Sequence, residues 1–253
     1  MTAPVHLVAP AKLTLSLRVT GVRDDGYHLI DAEMVTLDLH DTITIEPGRE
    51  GAEITGPNAS GVPTDRRNLA VAALGDTAAR LTIDKQIPHG GGLGGGSADA
   101  AAVMRWMGHP PDTDGLAAAA RLGADVPFCL LGGRARVSGI GEIVEPLPHL
   151  DRTFTLVIPP LRVSTPAAYR AWDDLGGPHA PGPNDLEPAA IAVVPELAQW
   201  RDEIRELTDR VPVLAGSGAT WFVHGKHDNA LAALGSEGAE IIVARTTGDR
   251  GLE

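Results

Sequence analysis

The chain has 253 residues, 43% of them hydrophobic, with 21 Lys and Arg against 33 Asp and Glu. That apolar content supports a packed core and argues against disorder, and the length is that of one large or two ordinary domains. The net charge of −12 argues against a nucleic-acid binder, because neutralising phosphates needs a positive field.

From the N-terminus, Lys12 interrupts the mild apolar character of residues 5–11, so this stretch does not read as a signal peptide. No apolar run approaches the roughly 20 residues that span a bilayer, and a cytoplasmic protein is expected. Leu13, Leu15, Leu17 and Val19 alternate with Thr14, Ser16 and Arg18, a period of two that predicts a strand with one buried face. Lys12 has the parity of the polar set and should project from the other face, near the strand's start. Residues 23–26 form a turn, and 36–39 and 42–46 read as two short strands around His40 and Asp41. Residues 47–66, rich in Gly, Pro, Asn and Asp, read as a loop excursion. Residues 68–79 are Ala- and Leu-rich and predict a helix, and 81–83 a strand.

Six of the seven residues from Gly90 to Gly96 are glycine. Such density costs backbone entropy and needs a reason. One reason is close approach of a ligand to inward-pointing N–H groups. A helix over 97–107, with Ser97 as N-cap, would add its own free N–H groups and the positive end of its dipole. Together these suit phosphates; the alternative is a flexible solvent loop. No Lys follows the loop as a Walker A sequence requires. Gly90, Gly92 and Gly95 satisfy G-x-G-x-x-G, but any polyglycine run does. The acidic residues about 20 positions on, Asp112 and Asp114, sit in a Pro-rich turn, so a dinucleotide fingerprint fails on context.

Beyond the loop, 116–122 predicts a second helix stopped by Gly123, and Cys129 lies in an apolar run where a thiol acts as a small hydrophobe. One cysteine excludes an intrachain disulfide. A strand is expected over 134–138, and the Pro-rich 145–150 is the expected boundary between domains 1–150 and 151–253. In the second half, 154–158, 211–214, 221–223 and 241–244 read as strands. Leu197, Trp200, Ile204 and Leu207 recur at helical spacing, 228–234 is a short helix, and 176–184 is a Pro/Gly loop. This alternation predicts an α+β sandwich of ferredoxin type.

The stretch from Pro88 through His89, Gly90, Gly91, Gly92, Leu93, Gly94, Gly95, Gly96 and Ser97 to Ala98 resembles the central motif of the GHMP kinases, whose phosphate loop is neither Walker A nor Rossmann. The A-P-A-K-L-T-L at 9–15, D-G-Y-H at 25–28, L-G-A-D-V-P-F at 122–128, G-I-G-E at 139–142, N-D-L-E at 184–187 and G-S-G-A-T at 216–220 are similar to its other motifs, in family order. The match is to the branch that phosphorylates a cytidine diphosphate intermediate of the non-mevalonate isoprenoid pathway. Thr14 stands where that branch has Asn; it keeps a hydroxyl and lacks the amide's paired donor and acceptor.

The resemblance implies a two-domain α+β fold, with an N-terminal domain like ribosomal protein S5 domain 2 and a ferredoxin-like C-terminal domain, and a site between them. It implies that Asp125 accepts the proton of the substrate hydroxyl and that Lys12 holds Asp125 ionised and stabilises the moving phosphoryl group. Residues 88–98 would cradle ATP, with Asn68 and Lys85 near the nucleotide. Mg²⁺ would be held mostly by water and phosphate oxygens, with Ser97 as a contact; no protein metal ligand is expected. Tyr27 would stack on the cytosine, His28 would bond its edge, and Tyr169 would be a second stacking ring, with Thr14 and Thr165 also at the substrate. From the residues alone, Lys12 also reads as a snorkelling surface lysine and Asp125 as the N-cap of a short helix. No histidine pair has metal-ligand spacing such as H-E-x-x-H. A monomer or weak homodimer is expected. The competing functions are a mevalonate- or homoserine-type kinase, a non-catalytic nucleotide-binding module and a nicotinamide-dependent oxidoreductase.

Overall fold

A computed structural model describes residues 3–248. Strands β1 (Val5–Val22) and β2 (His28–Pro47) form a long antiparallel ribbon closed by the turn at 23–27. The period-two pattern marks only part of β1. In its first half, Val5 to Ala11, every residue except the exposed His6 is buried or half-buried, whichever face it lies on. Pro10 lies where the register shifts between Pro10 and Lys12, a bulge that tolerates a residue without an N–H. Lys12 is therefore in mid-strand, not near its start. The two short strands expected around His40 and Asp41 are one continuous β2, because β1 pairs with it on both sides of a register shift at 37–39.

The first sheet has the order β3-β4-β2-β5-β6, with β1 on β2. Strand β3 (Ala52–Thr55) lies inside the stretch expected to be loop; a four-residue parallel strand beside β4 (Ala79–Asp84) has too few residues to show a period. Strand β4 pairs with the 42–47 end of β2, and β5 (Arg134–Gly139) with residues 30–35. Neither covers residues 36–41. The chain leaves β4 towards the glycine loop beside this gap and enters β5 on its other side, which is where the site lies. Strand β6 (Ile143–Leu147) completes the sheet.

Helix α1 (Leu69–Leu74) starts at the Asn68 N-cap and ends at Gly75, short of the predicted Ala79, which begins β4. Helix α2 (Gly95–Trp106) has Gly94 as its N-cap, in left-handed conformation, not Ser97. Three glycines carry the chain directly into the helix, so Ser97 falls in its first turn. Helices α3 (Thr113–Ala120) and α4 (Val126–Leu131) follow. Cys129 is buried, and burial pushes its thiol up to about 12, so it is an inert core group.

The second sheet has the order β10-β7-β9-β8, built from β7 (Thr153–Ile158), β8 (Val213–Leu214), β9 (Trp221–His224) and β10 (Glu240–Arg245). Every pair is antiparallel. Numbered within this half the order is 4-1-3-2, the ferredoxin-like arrangement. Helices α5 (Thr165–Asp174), α6 (Glu187–Val193), α7 (Glu196–Thr208) and α8 (Asp228–Leu231) connect the strands, the last running into a 3-10 turn at Ala232–Glu237. Leu197 and Ile204 are the buried stripe of α7. A common apolar cluster joins the two sheets: Leu13, Val35, Leu37 and Leu93 pack with Phe154, Leu156 and Phe222.

Candidate active site

Lys12 and Asp125, 113 positions apart in sequence, meet in one cleft. The Lys12 Nζ lies 3.2 Å from the Asp125 carboxylate and donates to Thr14 Oγ1 at 3.2 Å. Lys12 is 5% exposed, which removes the snorkelling reading: its stem lies under the glycine loop and its head faces the cleft. Asp125 does hold the N-cap position of α4, but its backbone is helical and its side chain makes no cap bond. The carboxylate turns to Lys12 instead and is about a third exposed. The carboxylate thus lies beside a buried lysine head and is open on its other side to the cleft.

The glycine loop forms the adjoining wall. Several of its glycines are required by the protein's own packing, and Gly91 is one of them, since a Cβ there would lie 2.7 Å from the buried Thr220 hydroxyl. A Cβ on Gly94 would meet Lys12 Cγ at 2.7 Å, and one on Gly92 would meet the carbonyls of Ala215 and Gly218 at 2.9 and 3.0 Å. The loop is stitched in place by Lys12 N–H to the Leu93 carbonyl at 3.0 Å and Thr220 N–H to the Gly91 carbonyl at 3.3 Å. Its open face is Gly96, around which a Cβ would find nothing within 4 Å. The first helical bond of α2 runs from Ala98 N–H to the Gly94 carbonyl, leaving the N–H groups of Gly95, Gly96 and Ser97 outside the helix ladder. Pro88, Leu93 and Ala98 are buried supports, whereas His89 and Gly90 are exposed.

Asn68 and Lys85 are both buried and engaged with the protein. Asn68 accepts from Ala70 N–H and donates to the Pro63 carbonyl. Lys85 is paired with Asp41 and, at 2.6 Å, with Asp99 of α2. Asp41 also accepts the N–H groups of Gln86 and Ile87, so this cluster ties the loop's entry to the helix at its exit. Burial pulls Lys85 down, but the two carboxylates outweigh it and hold its ammonium above its ordinary range. Asp99 is pushed up to about 7, by burial first and then by the neighbouring Asp41, with Lys85 opposing. Neither Asp41 nor Asp99 is signalled by its sequence context; only the fold brings them to Lys85.

The cleft, of about 720 Å³, extends from Gly92, Lys12 and Asp125 to an aromatic end. There His28 stacks on Tyr169 at 4.6 Å and 29°, meets the edge of Trp172, and is 2.8 Å from Asp173 through Nε2. Burial, then Asp125, pushes the Tyr169 hydroxyl up to about 12, so it stays a neutral donor. Tyr27 is 60% exposed at the rim and stands outside that stack. Thr14 and Thr165 both line the cleft; Thr165 Oγ1 is 2.8 Å from Ser217 Oγ. Sequence reading missed Trp172 and Asp173, which follow Tyr169 on α5. It also missed the role of Asn184, whose Nδ2 donates to the carbonyls of Leu214 and Gly216 and holds the wall that receives Gly92.

A glycine loop opening into a helix N-terminus, beside a lysine–carboxylate pair in a cleft between two α+β sheets, defines a small-molecule kinase of the GHMP class. Residues 66–133 match the family model described as the GHMP kinases N terminal domain. The chain is 41% identical over 242 residues, 87% of each chain, to the 4-diphosphocytidyl-2-C-methyl-D-erythritol kinase of Paracoccus denitrificans (strain Pd 1222). It is 38% identical to the enzyme of that name from Cereibacter sphaeroides (strain ATCC 17029 / ATH 2.4.9), over 92% of this chain and 94% of that one. A crystal structure of 4-(cytidine 5'-diphospho)-2C-methyl-D-erythritol kinase superposes with a TM-score of 0.78 at 34% identity, covering 96% of this chain and all of the other. The chain belongs to the 4-diphosphocytidyl-2-C-methyl-D-erythritol kinase family.

Proposed function

We propose that the chain transfers the terminal phosphoryl group of ATP to the 2-hydroxyl of 4-diphosphocytidyl-2-C-methyl-D-erythritol. The observation that carries this reading is the Lys12–Asp125 pair sharing one cleft with the glycine loop. Asp125 accepts the hydroxyl proton as the O–P bond forms. Lys12 keeps Asp125 ionised and offsets charge on the moving phosphoryl oxygens. Thr14 orients Lys12, and the free N–H groups of Gly95, Gly96 and Ser97 receive phosphate oxygens. The His28–Tyr169 pair, held by Asp173, is a planar platform of the kind a pyrimidine stacks on. Tyr27, exposed at the rim of the same cleft, supplies a second ring for the base from the other side.

Among the described residues no group of three His, Cys, Asp or Glu is arranged to cage an ion. Mg²⁺ would be carried on phosphate oxygens and water, with Ser97 in the first turn of α2, beside the glycine loop, as the side chain within its reach. When bound, that ion would neutralise phosphate charge.

The test is Asp125→Asn, assayed with ATP and the cytidine compound. Turnover should fall by about 10³-fold or more, with nucleotide affinity and thermal midpoint preserved. Near-parental turnover would remove Asp125 from its role, and turnover of mevalonate or homoserine in place of the cytidine compound would change the acceptor.

A further inference from the structure

We propose that Arg162, from the loop after β7 in the second half of the chain, is a cation for the nucleotide's phosphate tail. The inference rests on the reading of the glycine loop as a phosphate site. That loop lacks the lysine that other phosphate loops carry. Of the two lysines behind it, Lys85 is held by Asp41 and Asp99, and Lys12 sits beside Asp125 at the transferring group, so neither serves the rest of the phosphate tail.

Arg162 answers that deficit. Its Cγ, Nε and Cδ lie 3.8, 3.8 and 3.9 Å from where a Cβ on Gly90 would stand, so the side chain runs along the exposed start of the loop. It is exposed, and none of the ion pairs or hydrogen bonds of the described residues engages it. The positive field at this mouth also registers on His89, held below the ordinary imidazole range by burial and then by Arg162 and Lys85. A planar guanidinium with several donors matches phosphate oxygens in a way an ammonium does not. Because Arg162 comes from the second half of the chain, nucleotide bound in the loop would be gripped from both halves.

The experiment is direct titration of the parent, Arg162→Ala and Arg162→Lys with a non-hydrolysable ATP analogue and with adenosine, alongside steady-state kinetics. The analogue's affinity, and the affinity for ATP read as KM, should weaken about tenfold or more in Arg162→Ala and less in Arg162→Lys, with the acceptor's KM unchanged. Adenosine, which has no phosphates, should bind all three alike. Analogue affinity within twofold of the parent in Arg162→Ala, or an equal loss for adenosine, would overturn the assignment. Should Arg162→Ala lower the thermal midpoint, Arg162→Lys decides, since a packing role would be kept by its methylene stem and the bidentate grip would not. Binding is read without acceptor, so failure of the parent to phosphorylate the cytidine compound would sink the proposed function and leave this result standing.

Discussion

Asp99 is a buried carboxylate with an incomplete set of partners. It is 1% exposed, one of its oxygens has no hydrogen-bond partner among the described residues, and it shares one ammonium with a second buried carboxylate. Its pKa in the fold, about 7, lies above its ordinary 3.8, so the folded chain holds this proton more tightly than the unfolded chain does. The sign follows: the associated stability is fully present below about pH 4 and is lost as pH rises through about 7. Asp99→Asn keeps an acceptor for Lys85 and removes the titration. The difference in urea midpoint between variant and parent should therefore move in the variant's favour from pH 5 to pH 8; a pH-independent difference would count against this account. The family resemblance placed Lys85 near the nucleotide and said nothing of its partners. Its burial between Asp41 and Asp99 comes from three separate elements, and no local pattern encodes that.

The glycine loop is not one functional unit. Gly92 approaches the backbone of 215–218 with φ +80°, whereas Gly96 faces open space at the start of α2. Gly92→Ala should lower the thermal midpoint, because a methyl would press on two carbonyls that cannot give way. Gly96→Ala should leave the midpoint unchanged or slightly higher, since alanine is the better helix former, yet weaken ATP binding as its methyl enters the space assigned to phosphate. Thermal melts paired with nucleotide titration check both, and equal behaviour of the two variants would show that the division is wrong. The order strand, glycine loop, helix was legible because composition changes abruptly at each junction. The N-cap was not, because choosing between Ser97 and Gly94 depends on how Lys12 and Leu93 pin the loop.

At the scale of the molecule, the two sheets are joined by side chains from both. Phe154 and Phe222 meet edge to face at 5.5 Å within the cluster that includes Leu13 and Leu37. Backbone bonds continue the join: Arg245 N–H donates to Asp38 and Thr247 N–H to the Thr36 carbonyl. Phe222→Ala should cost about 3–5 kcal/mol and destabilise both halves together. Far-UV circular dichroism and tryptophan fluorescence should then give coincident unfolding curves in parent and variant; separated transitions would mean that the shared core does not couple the halves. The Pro-rich stretch expected as the domain boundary begins within β6, an edge strand on which a proline such as Pro146 is tolerated.

What the sequence determined by itself was whatever depends on neighbours along the chain: the alternating part of β1, the glycine-to-helix junction, the apolar stripe of α7 and the ordered motifs that mark the family. Tertiary structure alone decided that Lys12 is buried, that Asp125 turns from its helix towards it, that Asp41 and Asp99 share Lys85, and that Arg162 lies along Gly90. The physical reason is range. Periodicity and capping act over a few residues, whereas the charge state and aim of a side chain depend on burial and on partners far away in the chain, which only the packed fold supplies.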